Sequence, residues 1–213
     1  MLTSDSLQSD AASYTLLRVY HQPRSLILAS SSPRRVELLT RAGYIFDVMP
    51  ADVDEQRKAN ESPTEYVTRL AITKVSAIAA QNFDRVVIGA DTTVVVDSEV
   101  LGKPKGPEEA ACMLQQLAGR AHKVMTGVAV RLGEVCISAV EMTVVHLVEL
   151  DDALIAWYVG TGEPLDKAGA YGIQGIASRF VDRIEGSYSN VVGLPLVLVD
   201  QLLVRLSQAP ASR

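Results

Sequence analysis

Cysteine is nearly absent: only Cys112 and Cys136 occur in 213 residues, with neither a CxxC pair nor Cys/His ligand spacing. A disulfide framework and a zinc site are therefore not suggested, and the chain reads as a reduced, cytoplasmic protein. Positive charge is also in deficit. Lys and Arg number 20 against 25 Asp and Glu, a formal net charge of −5. This argues against nucleic-acid or membrane-surface partners, which need a basic face, but leaves room for a local basic pocket that takes a phosphorylated small molecule. No apolar run reaches the ~20 residues of a membrane span. Residues 1–24 lack a basic start followed by an apolar core, so they read as a poorly ordered extension and not a signal peptide. Internal repeats, low-complexity tracts, long linkers and the GxxxxGK[ST] phosphate loop are all missing.

What is present is apolar and alternating. Hydrophobic residues make up 48% of the chain, enough for a real core, and strand and helix patterns alternate from Ser25 onward, which predicts an α/β fold. Leu26–Ala29 reads as a buried strand. It is followed by a helical stripe through Val36, Leu38, Leu39 and Ala42 that stops at Gly43. Tyr44–Met49 reads as a second strand and ADVDEQRKANE as a polar loop. Ser62, Pro63 and Glu65 then form a capping-box start for a helix with its apolar face on Tyr66, Leu70, Ala71, Val75 and Ile78. RVVIGADTTVVVD reads as a β-branched run interrupted at Gly89, Ala90 and Asp91, with Asp97 as a turn residue, and PEEAACMLQQLAG reads as an amphipathic helix. HKVMTGVAVRL and VCISAVEMTVVHLVEL, joined through Gly133, predict an antiparallel pair and hence a mixed sheet with flanking helices. A helix at DDALIAWYVG, a loop-rich stretch through Phe180 and a last helix from near Pro195 complete one domain over residues 25–207, with 208–213 as a tail.

Five polar groups could carry chemistry, and each has a plainer alternative. In SLILASSSPRRVELL, Ser32 is placed to cap a helix that starts at Pro33. Free N–H groups, the hydroxyls of Ser30 and Ser32, and Arg34 and Arg35 would suit an anion; the alternative is a capped helix with two solvated arginines. Asp91 could bind a divalent cation or take a proton from water, or simply satisfy a turn. Lys103 in LGKPKG is either a point charge toward phosphate or a solvated loop lysine. Asp52, Asp54 and Glu55 offer hard oxygen ligands for Mg²⁺ or Mn²⁺, though acidic loops are usually just solvated. In DKAGAYGIQG, three glycines permit close backbone approach, Tyr171 offers a ring and Gln174 an amide suited to a base edge. Asp166 and Lys167 could equally be a structural ion pair. His122 and His146 lie in strand-like segments and read as structural.

In order and spacing, LASSSPRRVELL, GADTTVVVDSEVLGKP, EEAACMLQQLAGRAHKVMTGV, GEPLDKAGAYGIQG and YSNVVGLPL resemble the Maf family of nucleoside triphosphate pyrophosphatases, over about residues 25–200. The resemblance implies a fold like that of the inosine triphosphate pyrophosphatases, with two lobes around a deep cleft. It also implies metal-assisted hydrolysis between the α- and β-phosphates of a nucleoside triphosphate. Carried over motif by motif, it implies a proton acceptor at Asp91, phosphate contacts at Arg35 and Lys103, and a metal-associated acid at Glu55 beside Asp91. Base discrimination falls on Arg34, Thr92 and Gln174, with Ser30, Ser32 and Lys167 in the substrate site. SPRR, GADT and GIQG are similar to the branch that acts on dTTP and UTP, and modified pyrimidine triphosphates are a narrower variant of that expectation. Gly106 stands where relatives often carry an aspartate. The resemblance also admits a homodimer and, as a different class of function, a nucleotide-binding regulator of septum formation that needs no hydrolysis.

Overall fold

The computed structural model describes residues 26–209; the extension at 1–24 and the end of the tail lie outside the described residues. Among the described residues no helix is long and apolar enough to cross a membrane. The mixed α/β expectation holds. Seven strands form one sheet: β1 (Leu26–Leu28), β2 (Asp47–Val48), β3 (Val86–Val96), β4 (Glu99–Leu101), β5 (Ala121–Leu132), β6 (Val135–Leu147) and β7 (Val181–Glu185). The order is β2-β1-β3-β5-β6-β7, with β4 folding back onto the end of β3. β2–β1 and β1–β3 are parallel, and the remaining pairs are antiparallel.

Helices cover both faces. Helix α1 (Pro33–Arg41) starts where the proline allows it to, one residue after an extended Ser32. Helix α2 (Pro63–Ala79) has the full capping box, with Ser62 and Glu65 each satisfying the other's backbone N–H, an arrangement worth about 1 kcal/mol. Its buried stripe, Val67, Leu70, Ala71, Lys74 and Val75, lies close against the sheet. The approach depends on glycine: a Cβ on Gly89 would stand 2.9 Å from the Ala71 carbonyl, and one on Gly127 2.4 Å from that of Val67. Helices α3 (Pro107–Leu117), α4 (Asp152–Gly160), α5 (Tyr188–Val192) and α6 (Leu196–Gln208) complete the set, with 3-10 turns at Glu163–Asp166, Ala168–Ala170 and Ile176–Phe180.

The long strands run through three hydrophobic clusters. Ile88, Ala90, Val128 and Val130 pack with Leu202 and Leu39, while Ile27, Val87 and Ala129 pack with α2 on the other face. Farther along, Val94, Val96 and Val124 belong to a second lobe with Leu114, Tyr158 and Phe180. Asp91, Thr92 and Thr93 fall between the lobes.

Several boundaries differ from the sequence reading. Gly89, Ala90 and Asp91 do not interrupt the run but lie inside an 11-residue strand. The low β-propensity of Gly-Ala-Asp is overridden there by pairing with β5 along one edge, and small residues are what α2 requires opposite it. The second strand shrinks to Asp47–Val48. β4, β7 and α5 were not foreseen, because each is short and is held by a neighbour more than by its own pattern. The last helix runs from Leu196 to Gln208.

Candidate functional site

Alternation along β3 turns neighbouring residues to opposite faces of the sheet. Asp91 faces α2, and Thr92 faces α1. Each has its own network, and both open into a cleft of about 360 Å³ between the lobes.

On the Asp91 side, a buried lysine from the apolar stripe of α2 joins two acids. Lys74 Nζ donates to Asp91 Oδ1 at 2.7 Å and to Glu55 Oε1 at 2.6 Å. Burial raises the Asp91 carboxyl above its ordinary value, although the charges of Lys74 and Arg35 pull the other way. Burial would raise Glu55 too, but the hydrogen bond and charge of Lys74, then the charges of Lys103 and Arg35, hold it below the ordinary value. Glu55 is aimed by its backbone: its carbonyl accepts from the Tyr66 hydroxyl at 3.0 Å, and Arg69 holds the next carbonyl, that of Gln56. Arg69 is itself forked onto Glu61 at 2.6 and 2.9 Å.

On the Thr92 side, Arg35 is buried and nearly fully used. Its Nε donates to Gly193 O at 2.8 Å, Nη1 to Ala90 O at 2.8 Å and Ser30 Oγ at 3.3 Å, and Nη2 to Thr92 Oγ1 at 3.0 Å. Thr92 Oγ1 lies 2.9 Å from Thr126 Oγ1. Asn190 anchors the segment that carries Gly193, donating from its side-chain amide to Val124 O and Thr143 Oγ1. Burial lowers the Arg35 pKa and Asp91 opposes the shift, yet a guanidinium starts so high that it stays charged.

Ser30, Ser31 and Ser32 line the cleft at the start of α1. Ser30 Oγ takes the Ser32 N–H at 3.2 Å, and the Ser32 hydroxyl makes no cap bond. At the mouth Arg34 reaches across from α1 to Asp166 Oδ2 at 2.8 Å, while Lys167 Nζ holds Asp166 Oδ1 at 2.6 Å. Burial pushes the Asp166 carboxyl up, but hydrogen bonds from Lys167 and Arg34 outweigh it and set it at about 2. Lys103 and Gln174 are exposed and line the cleft.

All ten site residues read from the sequence therefore line one cavity, with Arg35 committed to protein acceptors and Arg34 to an acid. Asp52 and Asp54 stay exposed outside it. Lys74 was missed, although a lysine inside an otherwise apolar helical stripe was the available signal. His122 is structural as expected, buried with Nε2 2.7 Å from the Tyr171 hydroxyl. Among the described residues no three His, Cys, Asp or Glu side chains converge as metal ligands. Asp91 and Glu55 nevertheless meet at Lys74 Nζ, one from β3 and one from a loop, and two carboxylates completed by phosphate oxygens and water suit a hard divalent cation.

Residues 25–206 match the profile of a family described as Maf-like protein. The chain is 52% identical over 182 residues to the dTTP/UTP pyrophosphatase of Symbiobacterium thermophilum, covering 85% of this chain and 94% of that one. With the dTTP/UTP pyrophosphatase of Vibrio cholerae it shares 52% over 179 residues, covering 84% and 96%. Among solved structures it is similar to the Staphylococcus aureus Ham1 protein, with a TM-score of 0.49 and 15% identity over 86% of this chain and 100% of that one.

Proposed function

The chain belongs to the Maf-like protein family, and from that premise we propose that it hydrolyses dTTP and UTP, together with modified pyrimidine triphosphates, to the monophosphate and pyrophosphate. The observation that carries this reading is the meeting of Asp91, Glu55, Lys74, Lys103 and the start of α1 in one cleft. A triphosphate brings about four negative charges. Lys103, the free N–H groups at the α1 start and the hydroxyls of Ser30 and Ser32 receive them, and Arg34 and Lys167 join once they release Asp166.

Asp91 and Glu55 would hold the divalent cation, Mg²⁺ or Mn²⁺, whose chemistry is to polarise phosphate oxygens and acidify a bound water. Asp91 takes the proton of the attacking water at its carboxylate. A buried base with a raised pKa holds that proton better than a solvated carboxylate would. Lys74 balances the charge of the two acids and fixes their separation. Arg35 acts from beneath: it ties α1, β3 and the Gly193 segment into one floor and leaves its last Nη2 N–H for a phosphate oxygen. Pyrophosphate departs toward Lys103. Gln174, at the rim, offers an N–H donor and a carbonyl acceptor to the O4 and N3–H edge of thymine or uracil, and Thr92 with Arg34 shapes the same pocket. A base that leaves these groups unpaired is rejected. In this reading residues 25–207 are the catalytic unit, working in the cytoplasm. A regulator that binds nucleotide without hydrolysis is not favoured, because binding alone has no use for two acids bridged by a buried lysine.

The test is pyrophosphate release from each triphosphate with Mg²⁺ or Mn²⁺, in the wild type and in Asp91→Asn. Turnover of dTTP and UTP should exceed that of the other nucleotides. The variant should lose about a thousandfold in kcat while still binding nucleotide. Turnover confined to another nucleotide, or a fully active Asp91→Asn, would overturn the assignment.

A further inference from the structure

Gln174, the group proposed to meet the base, is held by its neighbours. Gln174 stands in the turn Gly172–Gly175, which is closed by the Gly175 N–H donating to Gly172 O at 3.0 Å. Just past it, the carboxylate of Glu163 accepts the Ile176 N–H at Oε2 (2.9 Å) and the Ala177 N–H at Oε1 (3.3 Å). It therefore satisfies the free donors at the start of a 3-10 turn, as a capping side chain does. The hydroxyl of Tyr158, whose side chain is fully buried, donates to the same Oε1 at 2.9 Å. The main-chain carbonyl of Glu163 takes Lys167 Nζ at 2.6 Å, and the stem of that lysine lies against Gly172. One residue thus pins the turn on both sides. A Cβ on Gly175 would stand 2.4 Å from Glu163 Oε1, so the glycine is what lets the carboxylate close.

Glu163 touches no reacting atom and is not among the residues given a part in base choice above. We propose that it is a positioning residue for base selection: by pinning the Gly172–Gly175 turn, it sets the preference for thymine and uracil over cytosine and the purines. The proposal rests on the reading of Gln174. The physical reason is that an amide discriminates only where it cannot move. Its donor and acceptor match the O4 and N3–H pair, and a wrong base leaves them unpaired. A turn free to shift would let the amide find other edges, and the penalty for the wrong base would vanish. The opposite end of the turn has its own anchor in the Tyr171–His122 pair, with rings edge-to-face at 5.3 Å. Loss of Glu163 therefore loosens the turn without detaching it.

The test compares kcat/KM for dTTP, UTP, CTP and GTP in wild type, Glu163→Gln, Tyr158→Phe and Gln174→Ala, with melting temperature and amide hydrogen exchange over residues 172–177. Glu163→Gln places an NH₂ where two N–H groups need acceptors. It should cut kcat/KM for dTTP and UTP by about tenfold or more and leave CTP and GTP within about threefold, with faster exchange in the turn. Tyr158→Phe, which keeps both amide bonds, should compress the preference less and in the same direction, and it serves if the Glu163 variant does not fold. A uniform fall for all four nucleotides, or an unchanged preference in whichever variants fold, would overturn the proposal. If Gln174→Ala compresses the preference while Glu163→Gln does not, the positioning role alone fails. A preference that survives Gln174→Ala removes the reading of Gln174 and the proposal with it.

Discussion

Arg34 and Arg35 are adjacent on α1, yet they meet different surroundings. Arg35, 8% exposed, spends its fork on Gly193 O, Ala90 O, Ser30 and Thr92. Arg34 lies at the cleft mouth and spans it to Asp166, an acid that is itself mostly exposed. The floor of the cleft is built from buried groups, most of whose hydrogen bonds are taken by protein partners. The rim is built from an exposed acid shared by two partly shielded cations, a pairing that exchanges partners at little cost. A site that must hold a reacting geometry and still admit a highly charged substrate needs both: rigidity beneath the α-phosphate, and replaceable contacts where the anion enters.

The sharpest way to break this contrast is Arg35→Lys. An ammonium cannot fork to acceptors on three elements. Stranding one or two buried carbonyls should cost about 2–4 kcal/mol of stability, read by chemical denaturation, and lower kcat by at least tenfold. If Arg34→Lys does equal damage to stability, the distinction between floor and rim is wrong. A smaller effect is expected at the rim from Asp166→Asn. Removing the acid that occupies Arg34 and Lys167 should lower KM for the triphosphate about two- to fivefold at low salt, with unchanged melting temperature. A raised KM would show that Asp166 assists substrate and does not compete with it.

The smallest effect is a pH dependence beneath the rim loop. Burial, with a minor contribution from the charge of His146, holds His122 down to about 4. The unfolded chain, with an ordinary histidine near 6.5, binds that proton first. Stability linked to His122 is therefore full above about pH 6.5 and is lost progressively as pH falls toward 4. His122→Gln should flatten that part of the curve. A mutant whose melting temperature falls in parallel with the wild type would show that His122 is not the group responsible.

Much of the fold follows from local pattern. The capping box at Ser62, the proline at the start of α1, the turn at Gly133 and the alternation that predicted a mixed sheet depend on residues near one another in the chain, and so they can be read there. The short strands β4 and β7 cannot, because three to five residues carry no period of their own and form only where a longer neighbour offers its edge. Asp91 shows the limit within a single motif. Its residue type marked it for chemistry, but its local sequence suggested an interrupted strand, and only pairing with Gly127 on one side of the sheet keeps the strand continuous.

The sequence by itself determined which side chains are candidates for chemistry in this protein: two acids, a lysine in a stiff loop, paired arginines behind three serines, and a glycine-spaced amide. The tertiary structure alone decided their relations. Lys74 became the bridge between Asp91 and Glu55 because α2 rides close over Gly89 and Gly127. Arg35 became part of the floor because Gly193, 158 residues away along the chain, returns to accept from it. Such contacts are set by strand register and helix docking, which depend on the whole core, and no local stretch contains the information to specify them.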